Sequence, residues 1–185
     1  LGVVLGLGLL FGNKYWNEYQ ESRREAASNL YVDMLEHVRA AKADAARANA
    51  TQLTQDYAST PYAGMAALML ARLSFEAGDA AGARTHLQWA IDHARDPAVV
   101  HTARLRLGRL LLDAREYDAA IALTQVSDPA GFETEYAELR GDILAAQGKV
   151  AEAREAYAVA LKQMSGESAH RRTVQMKLDD LGTAP

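Results

Sequence analysis

Residues Gly64 to Pro97 read GMAALMLARLSFEAGDAAGARTHLQWAIDHARDP, and this stretch decides the fold. Gly78 lies in its middle, where a glycine can take the left-handed conformation that ends a helix without steric cost. Small residues flank the turn on both sides, at Ala71 and Ala83. Two antiparallel helices approach closely only where both present small side chains. The stretch therefore predicts two helices packed side by side around a tight turn.

The same arrangement returns twice more along the chain. The units begin at residues 64, 101 and 134, so they are 37 and 33 residues apart, close to the period of about 34 of a tetratricopeptide repeat. Their small residues stand in register: Ala71, Gly108 and Gly141 in the first helix, and Ala83, Ala120 and Ala153 in the second. The predicted fold class is therefore all-α, a solenoid of antiparallel helix pairs of the tetratricopeptide type.

The turns are not identical in sequence. Gly148 occupies the same place in the third unit as Gly78 in the first. Arg115 replaces glycine in the second unit, so we expect that turn to be built differently. The sequence Asp128-Pro129-Ala130-Gly131 is a stop signal, which predicts a short second helix in this unit.

The N-terminal segment Leu1–Gly12 contains no polar side chain. As a helix it spans roughly 18 Å at about 1.5 Å per residue, short of the roughly 30 Å hydrocarbon core of a membrane. Tyr15, Trp16 and Tyr19 follow where an interfacial aromatic belt is expected. We expect the second half of a transmembrane helix that begins before Leu1, in preference to a signal peptide or a buried core helix.

The chain thus divides into four parts. They are the C-terminal part of a transmembrane helix (1–16), a long juxtamembrane helix and second helix forming an irregular first pair (17–60), three tetratricopeptide-like units (61–166, at about 64–97, 101–128 and 134–166), and a C-terminal capping helix and tail (167–185).

Composition and motifs exclude several classes of function. The 24 acidic and 20 basic residues give a net charge of -4, without the basic stripe of a nucleic-acid binder. Cysteine is absent, which removes disulfides and thiolate chemistry. No phosphate-binding loop, nucleophile elbow or zinc-protease motif occurs. His86 and His93 are two helical turns apart, which is too far for both to bind one metal ion. We expect no enzyme, no cofactor or metal, no nucleic acid and no small-molecule substrate.

A protein-binding groove is the remaining candidate site, lined by the first helix of each unit. Its predicted residues are apolar with arginines at one end and acidic at the other: Met65, Leu68, Arg72 and Phe75 in the first unit, Thr102, Leu105, Arg109 and Leu112 in the second, and Glu135, Glu138 and Asp142 in the third. Two interpretations stay open. The groove accepts an extended or helical peptide, or Leu68, Leu105 and Leu112 pack against the long N-terminal helix, which then fills it.

With these elements placed, the chain resembles the YfgM family of bacterial inner-membrane proteins. The resemblance lies in YASTPYAGMAALMLARLSFEAGDAAGARTHLQWAI, in RLRLGRLLLDAREYDAAIALTQ, in YAELRGDILAAQGKVAEAREAYAVAL, in the KYW that follows the apolar segment and in the terminal MKLDDL. It covers essentially the whole chain.

The resemblance implies a single-pass protein of the Gram-negative inner membrane with its repeats in the periplasm. It further implies an ancillary role at the Sec translocon (SecYEG), a partnership with the membrane-anchored peptidyl-prolyl isomerase PpiD, and transfer of emerging client proteins to periplasmic chaperones. The family supplies no catalytic residues. The alternatives are another membrane-tethered repeat adaptor, for assembly of an envelope or respiratory complex, and, least supported, an enzyme on a helical scaffold.

Overall fold

A computed structural model describes the backbone of residues 2–182 and the side chains of residues 14–182. Within these residues the chain forms nine helices and no strand, which confirms the all-α prediction. The helices are α1 (Gly2–Arg39), α2 (Ala43–Asp56), α3 (Pro61–Glu76), α4 (Ala80–His93), α5 (Pro97–Asp113), α6 (Tyr117–Leu123), α7 (Glu133–Ala146), α8 (Val150–Gln163) and α9 (Ala169–Asp180).

Local chemistry explains where several helices begin. Pro61 and Pro97 are the first residues of α3 and α5, where the missing N–H of proline leaves no helical hydrogen bond unmade. The Asp79 carboxylate caps α4 by accepting a hydrogen bond from the amide of Gly82 at 2.8 Å. The Asp96 carboxylate caps α5 in the same way. Such caps contribute about 1 kcal/mol each.

One turn joins the two helices of every pair. Gly78 and Gly148 have φ angles of 78° and 75°. The amide of each glycine donates to the carbonyl three residues earlier, and the amide of the following residue donates to the carbonyl five residues before itself. This is the hydrogen-bond pattern of a Schellman motif. Arg115 has a φ of 61° and makes the same two bonds. Our expectation that its turn is built differently is therefore wrong.

The helix pair α1/α2 is a further unit of the same kind, where we expected an irregular pair. Ala41 has a φ of 55° and its turn repeats the same two hydrogen bonds. Ala46 of α2, 37 residues before Ala83, is fully buried like its counterpart. Met34 stands 37 residues before Ala71, at the equivalent position of the first helix. Because methionine is large, the sequence of this pair does not show the pattern of small residues found in the other units. The stack thus holds four pairs and α9.

The apolar core runs along the stack as three clusters. The first joins α1, α2 and α3 around Met34 and Leu53. The second joins α3, α4, α5, α6 and α7 around Leu107 and Leu139. The third joins α7, α8 and α9 around Tyr157. Each pair therefore buries its apolar faces against its neighbours, as in a solenoid.

Small residues lie where the helices approach closely. Ala83, Ala120 and Ala153 are buried on the second helices. A Cβ added at Gly141 would lie 2.5 Å from the ring of Tyr157, and one at Gly108 would lie 2.7 Å from the side chain of Leu139. Larger residues at these positions would force the helices apart, which explains the register seen in the sequence.

The first helix continues from the apolar segment into the repeats without a break. The predicted membrane segment, residues 1–16, falls mostly where side chains are not described, and residues 183–185 of the predicted tail lie outside the described part. Among the described residues, no helix has an apolar stretch long enough to cross a membrane.

Candidate protein-binding site

Three of the predicted groove residues line one pocket between α3, α4 and α5. Arg72 and Phe75 reach it from α3 and Arg109 from α5, and the pocket has a volume of about 260 Å³. Its other lining residues are Ala71, Ala83, Leu87, Arg106, Leu110 and Asp113. We call this set the arginine pocket. Its apolar inner surface exists because the small Ala71 and Ala83 leave space that Phe75 and Leu110 do not fill.

Positive charge is concentrated at the arginine pocket. Arg72 forms an ion pair with Glu76 on its own helix at 2.7 Å. Within the part of the chain whose side chains are described, Arg106 and Arg109 form no ion pair. Partial burial and then repulsion by Arg72 and Arg109 lower the pKa of the Arg106 guanidinium below its usual value. Three cations therefore share a region that holds two carboxylates, Glu76 and Asp113.

Arg106 was not among the predicted groove residues. Arg106 and Arg109 are three residues apart in RLRLGR, and side chains three apart on a helix lie on the same side. That spacing could have added Arg106 to the site. The sequence does not show that both approach Arg72, because that contact depends on how α3 and α5 stack.

The predicted apolar groove residues have different environments. Phe75 is 59% exposed, whereas Leu105 is only 4% exposed. Leu68 and Leu112 are half-buried against the central cluster, and Met65 is half-buried on α3. The interpretation that the long N-terminal helix covers the three leucines is wrong, because α1 packs in a separate cluster with α2 and α3.

The acidic end of the predicted groove is occupied by the last helix. Lys177 of α9 donates to Glu138 at 2.8 Å and to Asp142 at 2.8 Å. His170 of α9 lies 2.7 Å from the second oxygen of Glu138. The hydroxyl of Tyr157 donates to Asp142 at 2.7 Å. Glu138 and Asp142 are thus separate from the arginine pocket and held by α9.

This network shifts the ionisation of its members. Burial alone would raise the pKa of Glu138, but hydrogen bonds from Lys177 and His170 together outweigh it and lower that pKa. Burial would lower the pKa of Lys177, and the hydrogen bonds to Asp142 and Glu138 raise it. Burial, followed by the bond to Asp142, raises the pKa of Tyr157. All three groups therefore keep one charge state near neutral pH.

A buried polar pair joins α5 to α7 between the two ends of the groove. His101 Nδ1 lies 2.8 Å from the hydroxyl of Tyr136, and both residues are buried. Phe132 stacks on the imidazole of His101. Among the described residues, no three histidine, aspartate or glutamate side chains are placed to share a metal ion. His101 has a packing and hydrogen-bonding role here.

Comparison with known proteins places the chain in a family. The tetratricopeptide repeat-like domain family matches residues 1–183. A protein of Neisseria gonorrhoeae named ancillary SecYEG translocon subunit is 34% identical over 97% of this chain and 86% of its own length. The chain belongs to this family. The resemblance to the YfgM family that the sequence indicated is thereby confirmed.

Two further relatives carry the same name. The ancillary SecYEG translocon subunit of Haemophilus influenzae is 29% identical over 98% of this chain and 87% of its own length. That of Escherichia coli is 29% identical over 98% of this chain and 86% of its own length. The relatives therefore match the apolar N-terminal segment, the repeats and the last helix together.

Proposed function

We propose that this protein is a membrane-anchored scaffold that associates with the SecYEG translocon on the periplasmic side of the inner membrane. It partners a membrane-anchored peptidyl-prolyl isomerase and helps to pass translocated proteins to periplasmic chaperones. The observation that carries the proposal is the match to translocon subunits of three bacteria over at least 97% of the chain.

The N-terminal end of α1 supports the membrane part of the proposal. Tyr15, Trp16 and Tyr19 are 75%, 58% and 45% exposed, directly after the apolar run. Exposed aromatic side chains with polar atoms favour the interface between lipid and water. Since α1 continues unbroken into the first unit, the repeats would be held close to the membrane surface, where a translocated chain emerges.

The arginine pocket supports the scaffold part of the proposal. Phe75 is a large apolar side chain exposed beside Arg106 and Arg109, which form no ion pair among the described side chains. Exposed aromatic residues and arginines are the residue types that dominate the binding energy of protein interfaces. The pocket lies on the first helices of two units, where a solenoid offers a continuous surface to a partner.

Photocrosslinking in cells tests the proposal. A benzophenone amino acid is placed at Phe75 and, separately, at Arg72, both exposed positions at the arginine pocket. Val159 of α8, which is 49% exposed, is the matched control. We expect products with a SecYEG subunit or the isomerase from Phe75 and Arg72 that are weaker or missing from Val159.

Three results would count against the proposal. Capture of neither SecYEG nor the isomerase from any position would remove the translocon role. Products restricted to subunits of another envelope complex would favour a different membrane-tethered adaptor. Labelling of the repeats by a reagent that cannot cross the inner membrane, if it occurred only after that membrane was disrupted, would contradict the periplasmic location.

A further inference from the structure

We infer that the arginine pocket binds a segment of a partner protein in which a bulky apolar side chain stands next to carboxylates. The inference deepens the proposed function, and rests on it for the premise that the ligand is a protein. It names the chemistry of the segment that this scaffold recognises.

The volume and lining of the pocket set the apolar part of the ligand. The space of about 260 Å³ is bounded by Ala71, Ala83, Leu87 and Leu110. Phe75 forms one wall and is 59% exposed. An aromatic or leucine side chain of a partner would enter this space and remove Phe75 from water, which favours binding.

The charges set the polar part of the ligand. Arg106 and Arg109 form no ion pair among the described side chains, and their positive charges repel one another. A carboxylate placed between them relieves that repulsion and accepts paired hydrogen bonds from a planar guanidinium. The ligand is therefore anionic on the arginine side of the pocket.

Asp113 determines the orientation of the ligand in the arginine pocket. Its carboxylate lines the pocket four residues after Arg109 on α5, so an acidic group of the ligand is repelled there. The acidic side chains of the ligand should lie on the side of Arg106 that faces away from Asp113. Their position next to the apolar side chain fits a short peptide segment, in which neighbouring residues present both kinds of group.

A peptide fits the pocket better than a lipid headgroup. The pocket is built from residues 71–113, beyond the first helix pair, whereas the aromatic residues suited to a membrane interface lie at Tyr15–Tyr19 on α1. An anionic headgroup would use the arginines and leave the apolar space of the pocket unfilled. A protein segment can fill the apolar space with one side chain and pair with the arginines through its neighbours.

Fluorescence anisotropy on the whole chain in mild detergent tests the inference. The probe is a labelled peptide of sequence GSDEFLDEGS, with GSNQFLNQGS and GSDEGSDEGS as the uncharged and the non-apolar controls. We expect both control peptides to bind at least about fivefold more weakly, because each lacks one half of the recognised chemistry. Affinity for the acidic probe should fall as salt is raised.

Variants at exposed positions locate the binding. Arg106→Gln with Arg109→Gln should weaken binding of the probe by about tenfold, since each removes a charge-assisted hydrogen bond. Phe75→Ala should weaken it by about threefold. Arg172→Gln removes an exposed arginine of α9 and should change nothing. Circular dichroism melting confirms that the variants are folded.

A charge exchange keeps the test decisive if the double glutamine variant is unstable. Arg106→Glu with Arg109→Glu should prefer the peptide GSKRFLKRGS over the acidic probe. Equal affinity of wild-type protein for all peptides, or unchanged affinity in both double variants, would show the inference to be wrong. Displacement by soluble phosphatidylglycerol with no dependence on Phe-Leu in the peptide would assign the pocket to a headgroup instead.

The inference and the proposed function fail in different ways. Probe binding that needs Arg106 and Arg109, with no SecYEG or isomerase crosslink, would support the inferred peptide binding and contradict the proposed translocon role. Crosslinks from Phe75 that persist in the double variant, together with no probe binding, would support the proposed translocon role and contradict the inferred peptide binding.

Discussion

The ammonium group of Lys177 lies 2.8 Å from Glu138 and 2.8 Å from Asp142, and it fastens α9 to α7. The Glu138 side chain is only 9% exposed, so its negative charge is largely removed from water. A buried charge of this kind is tolerated only when it is paired and hydrogen-bonded. The last helix is thus held by charge as well as by its buried Val174.

Replacement of Lys177 by methionine should destabilise the protein. The change keeps most of the apolar stem of the side chain but removes the positive charge between Glu138 and Asp142. Only His170 then remains beside Glu138 and the Tyr157 hydroxyl beside Asp142. We expect a loss of about 2 kcal/mol, less than the ~3–5 kcal/mol of a fully buried pair because Lys177 is partly exposed. Urea unfolding measures it. Arg172→Met on the exposed face of α9 is the control and should lose less than about 0.5 kcal/mol. Equal losses in both would contradict the role of the ion pair.

The stability of the protein should depend on pH through the same network. Folding lowers the pKa of Glu138 below its ordinary value of 4.5, so its contribution is fully present above that value and is lost as the pH falls through the folded-state pKa. Lys177 has a raised pKa, so its contribution persists below 10.5 and is lost at higher pH.

Urea titrations between about pH 3 and pH 7 on wild-type protein and Glu138→Gln test this dependence. The free energy of unfolding should fall more steeply in acid for the wild type than for the variant. Glu152→Gln, at an exposed position of α8, should keep the wild-type slope. If the free energy of unfolding fell equally steeply in acid for wild type and Glu138→Gln, Glu138 would not be the group responsible.

The turn at Arg115 should be improved by glycine. Its φ of 61° lies in the left-handed region, which costs a residue with a Cβ roughly 1 kcal/mol. We expect Arg115→Gly to raise the free energy of unfolding by about 0.5 kcal/mol, since the gain is partly offset by the greater freedom of glycine in the unfolded chain. Thermal melting checks it, and the reverse change, Gly148→Arg, should lower the stability. A lower melting temperature for Arg115→Gly would mean that the Arg115 side chain contributes to the fold.

Alanine at Gly141 should destabilise the protein although alanine favours helix. The added Cβ meets the ring of Tyr157 at 2.5 Å, and the ring is buried between α7 and α9. We expect a net loss of about 1–2 kcal/mol, with strain exceeding the gain in helix propensity.

A double-mutant cycle gives the control for this substitution. In the background Tyr157→Ala, where the ring is removed, Gly141→Ala should be neutral or stabilising. The same loss in both backgrounds, measured by urea unfolding, would show that the close approach to Tyr157 is not the cause.

Removal of the Tyr136 hydroxyl should test the buried pair between α5 and α7. Tyr136→Phe keeps the ring but leaves Nδ1 of His101 without its partner at 2.8 Å. We expect a loss of about 1–2 kcal/mol, because an unpaired buried polar group keeps its desolvation penalty. Tyr62→Phe, at a half-buried ring whose centroid lies 5.5 Å from that of Tyr31, is the control for removal of a phenol hydroxyl. A loss for Tyr136→Phe no larger than for Tyr62→Phe would mean that the bond is not stabilising.

Several elements of the fold followed from the sequence because their causes are local. The predicted stop at Asp128–Gly131 follows a short α6, and Pro61 and Pro97 each begin a helix. The small residues at Ala71 and Ala83 reveal the pairing because both helices of one unit are close in sequence. The first pair escaped notice because Met34 and Ala41 stand where the other units carry small residues or, in two turns, glycine.

The candidate site was only partly predictable for the opposite reason. Arg72, Phe75 and Arg109 share a pocket because equivalent positions of stacked units come together. Leu105 follows the same register, yet it is buried. Whether a first-helix residue faces a partner or the next unit depends on the angle between the units, which no repeat pattern contains.

The sequence by itself determined the helical composition, the repeat, the register of small residues and the family, because each is written in neighbouring residues or in whole-chain similarity. The tertiary structure alone decided that α9 neutralises Glu138, that Arg106 joins Arg72, and that α1 stacks on α3 without filling the groove. Those relationships join residues more than 30 positions apart, and they exist only once the units are stacked.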